Sequence, residues 1–260
     1  MNKPITWGLA IAAIVAIAAF LYYQSQKGPA LQPPYAPPAA TVPEPQAKAE
    51  PAIRYPIEVE EKEAPLPALD ESDPAARAAL AEALGDRSLL DLFNLQGFVR
   101  RIVATVDNLP RKKLAPRLMP VKPAAGTFLT AGKDDALVLS EKNYARYAPY
   151  VRLIDAVDTK KLVAVYTRLY PLFQRAYEEL GYPGAYFNDR LVEVIDDMLA
   201  APQVEGPVKL VRPKVYYLYA DPGLEGLSAG QKILVRIGPD NAAKTKAKLR
   251  EVRSELAKSR

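Results

Sequence analysis

The chain has 260 residues, of which 49% are hydrophobic and 25% charged, and its formal net charge is +5. It contains 25 prolines but neither histidine nor cysteine. This composition excludes imidazole-based catalytic triads, thiolate nucleophiles, disulfides and zinc sites built from histidine or cysteine. Any catalysis would have to use carboxylates, lysines, tyrosines or hydroxyls, and we expect no cofactor.

Residues 1–27 predict a transmembrane anchor. Residues 4–26 carry no charge, and the apolar run at 5–23 is long enough to cross a hydrocarbon layer of ~30 Å. Trp7 lies near one end of this run and two tyrosines lie at the other, as aromatic rings do at membrane interfaces. A cleaved signal peptide is the alternative, but bulky residues follow the small-residue triplet where a cleavage site would need small ones.

A short head before the anchor and a long body after it resemble a bacterial signal anchor. We therefore predict a single-pass protein of the bacterial inner membrane whose C-terminal domain is periplasmic. Lys3 and Lys27 flank the span almost symmetrically, so the distribution of positive charge does not fix the orientation. A body that faces the cytoplasm stays open as an alternative.

Residues 28–69 predict a Pro-rich disordered linker, because eleven of these 42 residues are proline and the segment lacks the large apolar residues that would offset its ordering entropy. In a polyproline II conformation the segment would reach up to ~130 Å at ~3.1 Å per residue. A docking site for a proline-reading module is a weaker interpretation, since no PxxP core with a basic neighbour is present.

Residues 70–260 predict one compact domain that is mainly α with a small β portion (α+β). Apolar spacing and terminal signals favour helices, with Asp73 and Asp158 as N-caps of two of them. The predicted helices cover 74–84, 88–108, 140–157, 158–181 and 188–201. A short hairpin is expected within 127–139 and a β-hairpin near 208–237, where KILVRI at 232–237 is the last strand. A basic helix is predicted at 239–258.

A basic cluster lies between residues 100 and 122, where seven lysines and arginines accompany one acid, Asp107. It predicts contact with an anionic ligand or polymer, although an ordinary basic loop is the plainer interpretation. No nucleic-acid-binding module accompanies the cluster, so no nucleic acid is expected as a partner. The candidate residues are Arg100, Arg101, Arg111, Lys112, Lys113 and Arg117.

An acidic face is predicted on the helix at 188–201. Its members recur at i, i+4, i+7 and i+8 and are Asp189, Glu193, Asp196 and Asp197. Four carboxylates on one face could bind a hard cation or supply a paired acid and base, and a solvated surface is the alternative. Because Asp196 and Asp197 lie near a helix C-terminus, where the macrodipole disfavours negative charge, we expect a basic partner close by.

Several segments resemble a family of bacterial proteins that is catalogued only as a domain of unknown function. The most specific of these segments read YPGAYFNDRLVEVID and LSAGQK, and the resemblance extends over about 66–253. It implies an anchor followed by one domain, and it implies no catalytic or binding residue.

These observations leave three functional hypotheses. The preferred one is a single-pass envelope protein that presents a helical domain for binding or scaffolding, with an envelope protein or polymer as its partner. The second is a carboxylate-dependent enzyme that acts on glycan, and the third is a cytoplasm-facing anchor whose basic loop binds nucleic acid or anionic lipid. The lack of histidine and cysteine favours binding over catalysis, and the oligomeric state stays open.

Overall fold

The computed structural model describes residues 52–57 and 65–258. The predicted anchor at 5–23 and most of the predicted linker lie outside these residues. Within this part of the chain, none of the helices is both long and apolar enough to cross a membrane.

Helices dominate the described domain, as predicted, and two short antiparallel hairpins complete it. The helices are α1 (Asp73–Leu84), α2 (Phe98–Asn108), α3 (Lys142–Ala156), α4 (Thr159–Glu179), α5 (Phe187–Leu199), α6 (Pro222–Glu225), α7 (Ala229–Ile237) and α8 (Pro239–Leu256). The strands are β1 (Thr130–Ala131), β2 (Val138–Leu139), β3 (Leu210–Val211) and β4 (Leu218–Tyr219).

Helix α4 is central to the fold and packs against α1, α2, α5 and α8. Its buried stripe includes Phe173, which stacks on Phe187 of α5 with the ring centroids 5.8 Å apart. Val99 and Val103 of α2 are each only 1% exposed and complete this part of the core. The 3.6-residue apolar spacing of the sequence therefore marks the faces that the domain buries.

The second helix begins later than predicted. Arg87–Leu92 form a 3-10 helix, and α2 starts only at Phe98 because Gly97 has a φ of 61° and interrupts the helical backbone. Asp73 stabilises this start: its two carboxylate oxygens accept hydrogen bonds from the amides of Gly97 and Phe98 at 2.8 and 3.0 Å. It thus caps α2 rather than its own helix, which differs from the predicted role.

The predicted strand at 232–237 is wrong, because these residues belong to helix α7. A capping box starts this helix: the Ser228 hydroxyl accepts from the Gln231 amide, and the Gln231 side chain accepts from the Ser228 amide. A short apolar run cannot distinguish a buried helix from a strand by its period. The hairpin in this region instead pairs β3 with β4, with Leu210 opposite Tyr219.

A short segment of the predicted linker packs on the domain. Tyr55 and Ile57 contact the cluster formed by Val163 of α4, Ile195 of α5 and Leu256 of α8. We call residues 52–57 the strap. Tyr55 and Ile57 supply the apolar area that a proline-rich, charged segment otherwise lacks.

Candidate functional site

The N-terminal half of the acidic face on α5 binds the strap. The two carboxylate oxygens of Asp189 accept from the backbone amides of Arg54 and Tyr55, at 3.1 and 2.8 Å. The Arg54 guanidinium forms an ion pair with Glu193, and this hydrogen bond raises the pKa of Arg54. Asp189 and Glu193 therefore hold a segment of the same chain.

The C-terminal half of the acidic face contacts α7 and α8. Asp196 accepts two hydrogen bonds from the Arg253 guanidinium, which confirms the expected basic partner for this carboxylate. Asp197 instead accepts from the Ser228 hydroxyl at 2.7 Å and from the Gln231 side chain at 3.4 Å. The expected basic partner is wrong for Asp197, because the start of α7 supplies neutral donors that satisfy the carboxylate.

The geometry gives the acidic face a structural role. Its four carboxylates are bonded to the strap, to α8 and to the start of α7, so they do not converge on one open site. Across residues 52–57 and 65–258, no group of three or more metal-ligating side chains is placed to hold an ion. None of the three interpretations of this pattern, a cation site, an acid-base pair or a solvated surface, included the contacts within the chain that these carboxylates make.

Two residues of the basic cluster are also used within the domain. Arg111 donates to the Asp107 carboxylate at 2.6 Å and to the Tyr182 hydroxyl at 2.9 Å. The negative charge of Asp107 raises the pKa of Arg111. Lys112 donates to the carbonyl oxygen of Gly226. These bonds anchor the loop after α2, while 52% of the Arg111 side chain and much of Lys112 stay exposed.

The carboxylate of Asp107 is a buried ionic centre that the sequence patterns do not reveal. Its side chain is 4% exposed and pairs with both Arg111 and Arg190, the second at 3.2 Å. Arg190 also donates to the main-chain oxygen of Asp107. The only sequence signal was that Asp107 is the one acid within the basic cluster. The centre joins α2 to α5, and α2 forms one wall of a groove on the surface of the domain.

Three residues of the basic cluster meet in one groove. We call it the arginine groove; it is bordered by α2, by the C-terminal end of α4 and by the 3-10 helix Pro116–Leu118, and its volume is about 720 Å³. Arg100, Arg101 and Arg117 line its rim. Its floor is apolar and includes Val103, Ala104, Leu118 and Ala176, whereas Glu179 and the half-exposed Leu180 lie at its edge.

The three arginines differ in how far their charge is compensated. Arg100 pairs with Asp70 at 2.8 Å and with Glu179 at 2.9 Å, and the hydrogen bond to Glu179 raises its pKa. Arg101 donates to the carbonyl oxygens of Gln96 and Arg117 at 2.7 and 2.5 Å. These neutral acceptors hold the guanidinium in place but leave its charge uncompensated.

The groove therefore has an apolar floor and a rim of net positive charge, because Arg100, Arg101 and Arg117 accompany one acid, Glu179. In the described part of the chain, neither Arg101 nor Arg117 forms an ion pair with a carboxylate. Leu180 at the groove is 42% exposed, so its apolar side chain can contact a partner. Lys113 is exposed in the neighbouring loop and does not line the groove.

Comparison with known proteins identifies the family. A family described as "Protein of unknown function (DUF3014)" matches residues 98–253, a stretch that includes the three arginines of the groove and the acidic face. Neither the curated proteins nor the solved structures give a match. The match confirms the resemblance to an uncharacterised family: this chain is a member of the DUF3014 family of proteins of unknown function.

Proposed function

We propose that the protein is a single-pass envelope protein whose helical domain binds an acidic segment of a partner protein in the arginine groove. The observation that carries this proposal is the pair of uncompensated guanidinium groups, Arg101 and Arg117, above an apolar floor. Its layout follows the sequence, with an anchor at 1–27 and a linker that leads to a domain in the periplasm.

The chemistry of the groove selects the class of partner. Guanidinium groups bind carboxylates through two parallel hydrogen bonds, and such bonds are stronger than those between neutral groups. The apolar floor, with the half-exposed Leu180 at its edge, would be buried by apolar side chains of the partner. A peptide segment that carries both acidic and apolar residues satisfies both parts of the groove, whereas a purely polar anionic polymer satisfies only the rim.

The Pro-rich linker would allow the domain to reach such a partner while the anchor stays in the membrane. With the strap docked, residues 28–51 separate the predicted anchor from the domain, and their reach is at most ~75 Å at ~3.1 Å per residue. This arrangement raises the local concentration of the groove near membrane-attached partners.

The other two hypotheses have less support. A carboxylate-dependent enzyme needs two carboxyl groups on opposite sides of one substrate site, and the acids of α5 are bonded to other parts of the chain. A nucleic-acid or lipid contact through the basic loop would use Arg111 and Lys112, which are bonded to Asp107 and Gly226.

Charge reversal in the groove tests the proposal. The variant Arg101→Glu with Arg117→Glu, in the full chain and in its native membrane, is compared with Lys214→Glu, which changes an exposed lysine in the β3–β4 loop. We expect cross-linking and pull-down to recover a protein partner with the wild type and with the control, and to lose it with the groove variant. Recovery of a polysaccharide, or of the same protein from all three chains, would contradict the proposal.

Reporter fusions test the compartment independently. A reporter after Arg260 that is active only outside the cytoplasm should give signal, whereas a reporter active only in the cytoplasm should not. The opposite pattern would place the domain in the cytoplasm and overturn the envelope assignment, without bearing on the groove itself.

A further inference from the structure

A second cavity, separate from the arginine groove, lies among helices α1, α4, α5 and α8. Its volume is about 400 Å³. Ala79 and Ala83 of α1, Leu169 of α4 and Val252 of α8 are among the residues that line it. Among the described residues, all the lining side chains are apolar except those of Tyr166 and Lys248.

The two polar lining groups are already bonded within the protein. The Tyr166 hydroxyl donates to the Asn188 side chain at 3.1 Å. The Lys248 ammonium donates to the Val157 carbonyl oxygen at 3.0 Å and to the Thr159 hydroxyl at 3.2 Å, and it also pairs with Glu251. In the described part of the chain, a ligand in the cavity would therefore find no free side-chain donor, so most polar groups of a ligand would be left unpaired there.

The size of the cavity points to a ligand rather than to imperfect packing. Protein interiors are close-packed and seldom contain voids larger than a water molecule. An apolar cavity of only ~150 Å³ stays dry and takes up benzene, whereas ligand pockets usually measure ~300–1,000 Å³. At about 400 Å³ this cavity belongs to the second class.

We propose that the cavity binds a hydrocarbon chain, of the kind carried by a fatty acid or by a membrane phospholipid. The apolar lining and the volume carry this inference, and neither depends on the partner of the arginine groove. Only the phospholipid source depends on the proposed anchor, which would keep the domain near a bilayer.

Photolabelling distinguishes the two sources. The full chain is reconstituted into phospholipid nanodiscs, and in one arm the phospholipid carries a photoreactive diazirine on its acyl chain. In the other arm the lipid is unlabelled and diazirine-bearing palmitic acid is added. We expect label on peptides from α1, α4 and α8 in at least one arm, and the labelled arm identifies the source. Label confined to residues 1–27, in both arms, would overturn the proposal.

A matched pair of alanines on α1 provides the control. Ala79 is 3% exposed and lines the cavity, whereas its neighbour Ala78 is exposed. We expect Ala79→Phe to fill the space and to reduce labelling of the helices about tenfold, the change that corresponds to ~1.4 kcal/mol of binding, whereas Ala78→Phe leaves it unchanged. If Ala79→Phe fails to fold, Ala79→Leu with unlabelled palmitic acid as competitor serves instead. Equal labelling of both variants, or no competition, would contradict the proposal.

Discussion

Arg253 of α8 donates hydrogen bonds to both carboxylate oxygens of Asp196 of α5, at 2.5 and 2.9 Å. Asp196 lies in the last turn of its helix, where the carbonyl ends of the helix repel a negative charge. The guanidinium offsets this repulsion, and its hydrogen bonds to Asp196 raise the pKa of Arg253. The pair thus joins two helices that also pack through Ile195 and Leu256.

The Asp196–Arg253 pair should contribute modestly to stability. Both side chains are more than a third exposed, so solvent screens their charges. A double-mutant cycle with Asp196→Asn and Arg253→Leu is expected to give a coupling energy of about 0.5–1 kcal/mol by chemical denaturation, and the coupling should shrink as salt is added. Additive effects of the two substitutions would show that the contact contributes nothing.

Replacement of Asp107 should be much more damaging. Its buried carboxylate serves Arg111, Arg190 and the Tyr182 hydroxyl, and the Nε atom of Arg190 is already buried without a hydrogen-bond partner in the described part of the chain. Asp107→Asn would remove the buried counter-ion of Arg190 and leave it only Glu193, which is 43% exposed, at a cost of about 3–5 kcal/mol in the free energy of unfolding. Thermal unfolding measures this loss, and a change no larger than that of Asp196→Asn would contradict it.

The strap should be held less tightly when Asn188 is replaced, although Asp189 and Glu193 still contact it. Asn188 is fully buried; it donates to the Tyr55 carbonyl oxygen at 2.8 Å and accepts from the Tyr166 hydroxyl. We expect Asn188→Ala to cost about 1–3 kcal/mol through the unpaired hydroxyl, and to accelerate trypsin cleavage after Arg54. The control Asn241→Ala removes a comparable amide from α8 and should leave that cleavage slow. Equal cleavage of both variants would mean that the strap is not held there.

Stability should fall at alkaline pH because of the buried Tyr177 and the partly buried Tyr170. Burial raises the pKa of Tyr170 to about 12 and that of Tyr177 to about 12, whereas an unfolded tyrosine titrates near ~10. Below pH ~10 the tyrosines are protonated in both the folded and the unfolded state, so their contribution to stability is fully present. Between pH ~10 and ~12 only the unfolded state loses it, so the free energy of unfolding decreases.

Denaturation across this pH range checks the tyrosine prediction. We expect Tyr177→Phe to reduce the alkaline loss, because the substituted ring cannot ionise. The control Tyr216→Phe changes a ring that is 79% exposed and should leave the profile as in the wild type. An alkaline loss that is the same in all three chains would contradict the assignment to buried tyrosines.

Much of the helical domain follows from local sequence signals. Asp158 caps α4 as predicted, because its carboxylate accepts from the Lys161 amide at 2.9 Å. Pro239 begins α8 and Gly85 ends α1, as the conformational limits of these two residues favour. The capping signal at Ser228 and Gln231 was also present in the sequence and would have corrected the predicted strand.

The contacts of the candidate site could not be predicted in the same way. Arg101 and Arg117 meet because a proline-broken loop folds back along α2, and no periodicity encodes that return. Asp189 binds the amide of Tyr55 from 134 positions away. Local patterns identify charged residues, but only the tertiary fold decides whether a charge is paired internally or left for a partner.

Photo-cross-linking from the arginine groove shows whether an acidic protein binds there. A photoreactive amino acid in place of Leu180, in the full chain and in the native membrane, lies at the edge of the groove, and the same amino acid in place of the exposed Tyr216 is the control. We predict that the Leu180 position forms an adduct with an acidic protein, that the control position does not, and that Arg101→Glu with Arg117→Glu abolishes the adduct. An adduct that persists after this charge reversal would contradict binding of an acidic protein in the groove. The lack of any adduct from a folded chain would contradict it too.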